Sequence, residues 1–364
     1  MFNDLKYWVA LSCFGKIGPK KFHFLRHRFP SAKNIWEANL LELRDAGLDE
    51  KTAGEFILKR KEIDPDAEME LLAKENVSAV TVDDALYPKL LKEIYHPPFI
   101  LYYKGALENL TDQAIAVVGT RQVSQYGRRA TQEIAEALAD QGIVIISGLA
   151  LGVDSIAHLA AVKKGKITTA VLGSGLDAAN IYPATHRSLA NEILNCGGQL
   201  VSEYPIGTLP LKHNFPARNR IISGLALGTL VVEAGEHSGA LITAHSALEQ
   251  NREVFAIPGP ITSPLSVGTN NLIKKGAKLV SSVADIFDEL NLKQIKEFRD
   301  NREIIPDSPE EAAVLKHLML EPRHINELVR LTDFAASELN ATLMKLEMKG
   351  LVKNLGNMTF VVAR

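Results

Sequence analysis

Residues 114–119 read AIAVVG, and the chain continues as TRQVSQYG to residue 127. An uninterrupted apolar run of this length predicts a strand that is buried on both faces. Comparable runs recur at IVIISG (143–148), ITTAVLGSG (167–175), GQLVSEYP (198–205), GTLVVEA (228–234) and EVFAIPG (253–259). Helical stretches are predicted between them, at 127–141, 152–164, 185–196, 216–226 and 239–250, with a last short strand and helix from residue 276. Buried strands that alternate with helices predict an α/β fold with a doubly wound, mostly parallel sheet.

The segments on the N-terminal side of this region have a different character. Residues 1–62 predict a small domain of short helices separated by glycine and proline, with Ser31 as a helix N-cap. Its run IGPKK (17–21) resembles the hairpin of a helix-hairpin-helix or SAM-like domain, whose amides can face a DNA phosphate; a plain packing module is the alternative. Residues 63–110 predict an edge extension of the main domain, which as a whole then spans 63–290.

The C-terminal side is predicted to be a separate winged-helix domain at 308–364, joined by a charged linker at 291–307. Its predicted helices lie at 309–320, 324–330 and 335–349, where Gly350 ends the last one, and a β-hairpin turns at 355–357. The last helix would be the recognition helix, but Glu338 and Glu347 oppose its lysines. That balance favours protein contact or weak duplex binding over sequence-specific reading.

Composition sets the class of protein. A chain of 364 residues suits two or three domains, and a formal net charge of -2 excludes a globally basic, histone-like binder. The two cysteines, Cys13 and Cys196, are too few and too far apart for a disulfide scaffold or a cysteine-rich zinc site. There is no basic leader and no run of about 20 apolar residues. We therefore predict a cytoplasmic protein that has no membrane association.

Glycine-rich turns follow three of the predicted strands, and the carboxyl edge of a parallel sheet is where ligands bind. Gly119-Thr120-Arg121 leads toward a helix, so its amides, the helix N-terminus and the arginine could all face a phosphate. Ser147-Gly148 and the loop at 235–239, with Ser238 and Gly239, repeat the arrangement. The alternative is that these glycines only permit tight turns, but that reading does not account for Arg121.

Residues 212–222, KHNFPARNRII, combine cations with an aromatic ring. Lys212, Arg218 and Arg220 would bind a nucleic-acid backbone while Phe215 stacks on a base, as in proteins that bind single strands. In the alternative, Phe215 is a core residue and the arginines pair with nearby acids. The dinucleotide fingerprint is missing after the first strand, so we predict no nicotinamide cofactor, and the histidines show no metal-ligand spacing.

Several long motifs resemble the DNA-processing protein A (DprA/Smf) family: VVGTRQVSQYG, SGLALGVDSIAH, VLGSGLD followed by IYP, SEYP, FPARNRIISGLA, VVEAGEHSGALITA and GTNNLIKKGA, in family order up to residue 277. The resemblance implies a Rossmann-like core that binds single-stranded DNA as a homodimer and delivers it to the RecA recombinase in natural transformation. The predicted DNA- and phosphate-binding residues are then Gly119, Thr120, Arg121, Ser147, Gly148, Lys212, Phe215, Arg218, Asn219, Arg220, Ser238, Gly239 and Lys275. Dimer and recombinase contacts are expected in helix 240–250 and segment 261–275.

The favoured function is therefore a DNA-binding protein that is not an enzyme, because the sequence has no nucleophile–base pair and no Walker A lysine loop. Asp154 and His158, four apart on one helix, fit a helix cap and a hydrogen-bonded core histidine better than acid–base chemistry. Glu233 resembles the carboxylate of nucleotide-cleaving relatives, although here it is expected to orient a loop. Two alternatives remain: a phosphoribohydrolase that uses Glu233 and Arg121, and a duplex-DNA regulator that acts through the winged helix.

Overall fold

The computed structural model describes residues 2–291, 308–318, 323–332, 334–349, 351–354 and 358–362. Contacts between residues divide the chain into two compact units, Met1–Leu290 and Asn291–Arg364. The predicted domain boundaries at 62 and 63 fall inside the first unit and stay predictions. Most of the predicted linker, residues 292–307, lies outside the described residues.

The first unit is built on a nine-stranded sheet in the order β1-β2-β6-β5-β4-β3-β7-β8-β9. The strands are β1 Ser78–Thr81, β2 Ile100–Gly105, β3 Ala114–Val118, β4 Val144–Ser147, β5 Thr168–Leu172, β6 Gln199–Ser202, β7 Gly228–Val231, β8 Glu253–Ala256 and β9 Lys278–Leu279. The seven neighbouring strands from β6 across the sheet to β9 run parallel to one another. Strand β2 pairs antiparallel with both β6 and β1. Every residue of β3 to β7 is buried, as expected for strands covered on both faces. The predicted α/β fold with a large, mostly parallel sheet is confirmed.

Helices connect these strands. They are α1 Phe2–Cys13, α2 Pro19–Arg28, α3 Ala32–Glu37, α4 Leu40–Asp45, α5 Glu50–Lys59, α6 Pro65–Lys74, α7 Lys89–Lys92, α8 Gln125–Asp140, α9 Val153–Lys163, α10 Arg187–Asn195, α11 Asn214–Gly224, α12 Gly239–Glu249, α13 Val267–Lys274 and α14 Val283–Glu289. Helices α6, α7 and α13 were not predicted, and α8 and α11 each begin two residues earlier than predicted. The chain runs outward from β3 through β4 and β5 to β6, then crosses to β7 on the other side of β3. The strand order therefore reverses between β3 and β7, which places the ligand-binding edge at the loops that leave these strands.

The N-terminal helices share a hydrophobic core with the edge of the sheet. The ring of Phe22 in α2 stacks on Phe99, just before β2, with centroids 4.2 Å apart, and Trp8 of α1 packs on Phe22. The Ser12 and Tyr102 hydroxyls are 2.5 Å apart in the same buried region. Ser31 caps α3 by accepting from the Asn34 amide, as predicted. The helical segment therefore packs directly on β2.

The second unit contains α15 Pro309–Leu318, α16 Ile325–Thr332 and α17 Ala336–Met348, with strands β10 Arg323–His324, β11 Val352–Asn354 and β12 Thr359–Val362. The strands form an antiparallel sheet in the order β10-β12-β11. Leu328, Leu339 and Leu343 lie in its core. This is the predicted winged helix, with β10 as an element that the sequence did not reveal. Gly350 and the predicted turn at 355–357 lie outside the described residues.

Among the described residues, no helix combines the length and the apolar character needed to cross a membrane.

Candidate nucleic-acid interface

The loop after β3 is held tightly by its neighbours. The Thr120 amide donates to the Glu233 carbonyl at 2.7 Å, and the Thr120 carbonyl accepts from the Val153 amide at 3.2 Å. Gly152 has φ of +81°, and a Cβ at that position would overlap the Thr120 carbonyl. Both features require glycine at 152. The loop that carries Arg121 is therefore fixed by the loops after β4 and β7.

A protein carboxylate occupies the N-terminus of α8. The Ser124 amide donates to Glu233 Oε2 at 2.9 Å, and the Ser124 hydroxyl is 2.5 Å from Oε1. Ser124 in turn caps the helix by accepting from the Gly127 amide at 3.0 Å. The Thr120 amide bonds to the Glu233 carbonyl and the Ser124 amide to the Glu233 carboxylate, so both donors have partners within the protein. The phosphate contact expected of this loop stays a prediction. Glu233 orients the loop, as predicted.

The Gly148 peptide after β4 is bound from both sides. Its amide donates to Asp154 Oδ2 at 3.0 Å, while its carbonyl accepts from Arg218 Nη1 at 2.8 Å. A Cβ on Gly148 would lie 2.6 Å from the Arg218 guanidinium nitrogens, so a larger residue would displace that group. Asp154 thus braces the loop after β4.

Arg218 is buried beneath this loop, with 4% of its surface exposed. Besides Gly148, it donates to the Val171 carbonyl at the end of β5. Burial lowers the pKa of Arg218 to about 10, which still leaves the guanidinium charged at neutral pH, and burial raises the pKa of the neighbouring Asp154. Arg218 is therefore a buried positive charge that supports the loops beneath the surface. It is not an exposed cation of the kind expected to contact a phosphate directly.

An aromatic surface lies above Arg218. The guanidinium carbons of Arg121 and Arg218 are 5.7 and 5.9 Å from the centroid of the half-buried Phe215 ring. Tyr182, which is 48% exposed, lies with its ring centroid 5.7 Å from that of Phe215 at 47°. Gly173 leaves room for the Phe215 ring, because a Cβ there would be 3.1 Å from Cδ1. A small pocket is lined by Arg121, Gly148, Ala150, Leu151, Tyr182, Pro183, Phe215 and Arg218.

Arg121 and Lys212 are the cations of this surface that are available to a ligand. Both side chains are exposed, and neither has a carboxylate partner among the described residues. Asn219 links the surface to the third glycine loop, since its Nδ2 donates to the Gly239 carbonyl at 3.3 Å. The structure therefore brings together Gly119, Thr120, Arg121, Gly148, Phe215, Arg218, Asn219 and Gly239 of the predicted residues, and Lys212 precedes α11 by two residues.

Other predicted residues have internal partners or lie elsewhere. The buried Ser147 hydroxyl donates to the Val117 carbonyl, and Ser238 caps α12. Arg220 forms an ion pair with Glu203 at 2.5 Å, so it is not a free cation. Lys275 follows the last turn of α13, whose first turn bonds to Ala234; the length of that helix, about 12 Å, separates Lys275 from the glycine loops.

His158 is a buried core residue. Its Nδ1 lies 2.7 Å from the Thr168 hydroxyl, which itself donates to the Ile145 carbonyl, so Nδ1 carries the proton. Nε2 has no hydrogen-bond partner in the described part of the chain. Burial lowers the pKa of His158 to about 3, so the ring is neutral. The predicted hydrogen-bonded histidine is confirmed.

Tyr182 lies on this surface and Asp154 supports one of its loops, but neither was among the predicted binding residues. Tyr182 belongs to the IYP motif that carried part of the family resemblance, so its proximity to a DNA-binding motif was the available signal. Asp154 was expected to cap its helix, but its carboxylate instead accepts from the Gly148 and Ala150 amides of the preceding loop, and nothing in the spacing indicates these partners.

Comparison with known proteins gives a consistent result over nearly the whole chain. The family model described as DNA recombination-mediator protein A matches residues 78–291, and the DprA winged helix domain model matches residues 300–358. Protein Smf of Synechocystis sp. is 34% identical, with 98% of each chain covered.

Solved structures agree with the sequence comparison. DNA processing protein A of Streptococcus pneumoniae has a TM-score of 0.66 at 37% identity, covering 78% of this chain and 96% of its own. The protein of the same name from Helicobacter pylori has a TM-score of 0.53 at 32% identity, covering 60% and 96%. The Helicobacter structure is described as giving insight into a unique single-stranded DNA binding mode.

Proposed function

Because the chain belongs to the DNA recombination-mediator protein A (DprA/Smf) family, we propose that it binds single-stranded DNA on the surface formed by Arg121, Tyr182 and Phe215. The observation that carries this proposal is the Arg121 guanidinium beside two partly exposed rings, with no carboxylate partner in the described residues. A cation for the backbone next to aromatic rings for the bases is the usual combination for single strands. Stacking accepts any base, so binding should be independent of sequence.

The supporting charges favour a strand over a mononucleotide. The α8 N-terminus, which would hold the phosphate of a mononucleotide, already bonds to Glu233. The exposed cations Arg121 and Lys212 come from different loops: Arg121 lies beside the Phe215 ring, and Lys212 is three residues before Phe215 in the sequence. This arrangement suits successive phosphates of one backbone. It does not favour the alternative phosphoribohydrolase, since Glu233 bonds to Ser124 through both carboxylate oxygens.

The test measures the affinity of the full chain for a fluorescently labelled single strand by fluorescence anisotropy. Arg121→Ala and Lys212→Ala should each weaken binding of all sequences and reduce the salt dependence of the binding constant, because each removes one phosphate contact. Lys74→Ala, an exposed lysine on α6 beside the edge strand β1, is the matched control and should bind as the parent does. Unchanged affinity in both Arg121→Ala and Lys212→Ala would contradict the assignment of the surface.

We further propose that the bound strand is delivered to the RecA recombinase during natural transformation. The family description as a recombination mediator supports this step. In this role the protein holds the strand and performs no chemistry on it. Stimulation of RecA ATP hydrolysis on a single strand, lost in Arg121→Ala, is the expected result. Equal stimulation by the parent and by Arg121→Ala would show that activation of the recombinase does not depend on the proposed strand surface, and would contradict this step.

We also propose a homodimer that forms through α12 and the following segment. Ile242 and Leu248 of α12 are 44% and 58% exposed, and Ile261 is 94% exposed. Large apolar side chains this exposed on neighbouring elements favour a protein contact. Leu248→Glu should convert the protein to a monomer, measured by light scattering coupled to gel filtration. Leu58→Glu, which changes a 67%-exposed leucine on α5, should leave the mass unchanged; a monomeric parent would overturn the proposal.

A further inference from the structure

A second cavity lies between α2 and the connection from β1 to β2, outside the surface described above. Its volume is about 400 Å³, within the range of small-molecule sites. The lining includes Lys20, His23, Phe24, Tyr95, His96 and Phe99. The family model begins at residue 78, so the α2 side of this cavity lies outside the matched region.

Aromatic side chains form the walls of the cavity. Phe22 and Phe99 are core residues at its base, whereas Tyr95 is 88% exposed and Phe24 is 46% exposed. The rings of Tyr95 and His96 are in contact, with centroids 4.2 Å apart. Burial, together with the nearby Arg220, lowers the pKa of His96, which favours the neutral ring over the charged one. A neutral imidazole can stack as an aromatic surface. An exposed tyrosine at the mouth of an aromatic cavity offers a flat partner to a base.

The charge around the cavity is positive. Helix α2, with the sequence PKKFHFLRHR, contains four lysines and arginines and no carboxylate. Lys21 pairs with Asp49 and Arg26 pairs with Asp83, but Lys20 has no carboxylate partner in the described residues. Lys20 therefore supplies a charge that complements an anion. A phosphate attached to a planar base fits both the charge and the walls.

The cavity faces the same edge of the sheet as the Arg121 surface. Strand β1 is parallel to β6, so the connection that follows it lies at the carboxyl edge, where the glycine loops also lie. Arg220 joins the two places, because it donates to the His96 carbonyl at 2.7 Å from a position five residues after Phe215 on α11. Five helical residues span about 7.5 Å. One helix therefore carries both Phe215 and the arginine that contacts the edge of the cavity.

We propose that this cavity holds a nucleotide, with its base on Tyr95 and its phosphate at Lys20, and that the nucleotide is a later unit of the strand bound at Arg121. The proposal rests on the proposed single-strand function. It assigns the N-terminal helices a direct part in binding. Arg220 acts as the brace between the two places.

The test uses the full chain and thymidine oligonucleotides of about 4 and about 16 nucleotides, the span of known single-strand site sizes. Tyr95→Ala and Lys20→Ala should leave the affinity for the short strand unchanged, because that strand occupies the Arg121 surface alone. For the long strand, Tyr95→Ala should weaken binding at least about fivefold, the lower end of base stacking on an aromatic ring. Tyr95→Phe keeps the ring and should bind as the parent does, and Lys74→Ala is the control for charge.

Photo-crosslinking of a long strand that carries 4-thiothymidine should label a peptide containing Tyr95. Parent affinity in Tyr95→Ala at both lengths, together with no crosslink at Tyr95, would overturn the inference even if Arg121→Ala binds weakly. If the parent protein bound neither the short nor the long strand, the proposed function itself would be overturned. Titration with thymidine monophosphate distinguishes the source: Tyr95-dependent binding of the monophosphate, with strand affinity unaffected, would assign the cavity to a free nucleotide.

Discussion

Arg121 and Arg218 lie at similar distances from the Phe215 ring but differ in what surrounds them. Arg121 is exposed, whereas Arg218 is buried and donates to two main-chain carbonyls. Removing a buried charge that is bound in this way leaves its partners unsatisfied and typically costs about 3–5 kcal/mol of stability. A variant at Arg218 would therefore lose folding and binding together, while Arg121 reports on binding alone.

His158 should make the protein sensitive to acid. Its pKa is lowered from 6.5 to about 3 by burial, so below pH 6.5 the unfolded chain takes up a proton that the folded chain does not. Stability therefore falls as the pH falls, by about 1.4 kcal/mol per pH unit until the folded pKa is reached. His158→Leu should flatten the pH dependence of the free energy of unfolding between pH 6 and pH 4, measured by urea denaturation.

His27→Leu is the matched control for that measurement. His27 is an exposed side chain on α2, beside the His23 ring, so its removal should leave the slope unchanged. An equal slope in the parent and in His158→Leu would contradict the assignment of a buried neutral imidazole.

At the scale of elements, the Ser124–Glu233 contact joins the start of α8 to the loop after β7. Ser124→Ala removes the helix cap and leaves the buried Glu233 carboxylate without its hydroxyl donor. We expect a loss of about 1–3 kcal/mol in stability and weaker strand binding, because the loop carrying Arg121 loosens. Thermal unfolding and anisotropy on the same samples measure both.

Ser31→Ala provides the comparison for Ser124→Ala. Ser31 caps the exposed start of α3 through the Asn34 amide. Its removal should cost about 1 kcal/mol and leave strand affinity as it is. If Ser124→Ala lost no more stability than Ser31→Ala and bound DNA normally, the contact with Glu233 would not control the loop.

The strands were predictable because the central ones are apolar on both faces and the intervening helices are amphipathic. Helix α13 was missed because GTNNLIKK combines a weak apolar pattern with glycine and two asparagines, which favour turns. The burial of Arg218 could have been predicted: Asn214, Arg218, Ile221, Ile222 and Leu225 follow the spacing of one helix face. The ion pair of Arg220 with Glu203 could not, since it joins residues brought together only by the sheet.

At the scale of the whole molecule, the two units should divide the work unequally. In the winged helix, Lys349 of the α17 C-terminus is bound to Glu311 at 2.6 Å, which removes one cation from the predicted recognition helix. The first unit has its own hydrophobic core and contains the Arg121 surface. Residues 1–291 alone should therefore keep the single-strand affinity of the full chain.

That truncation also separates the competing functions. Binding of single-stranded and duplex DNA by residues 1–291 and by the full chain would be compared in the same titration. We expect a preference for single strands in both. Loss of all DNA binding on truncation would favour a duplex regulator that acts through the winged helix.

Glu233 has a consequence for which molecules can compete for this protein. A cell contains free nucleotides and inorganic phosphate in abundance, and an open helix N-terminus on such a sheet would be occupied by them. Here the carboxylate serves as a built-in counter-anion at α8. We therefore expect free nucleotides and phosphate to compete weakly with a DNA strand at the Arg121 surface.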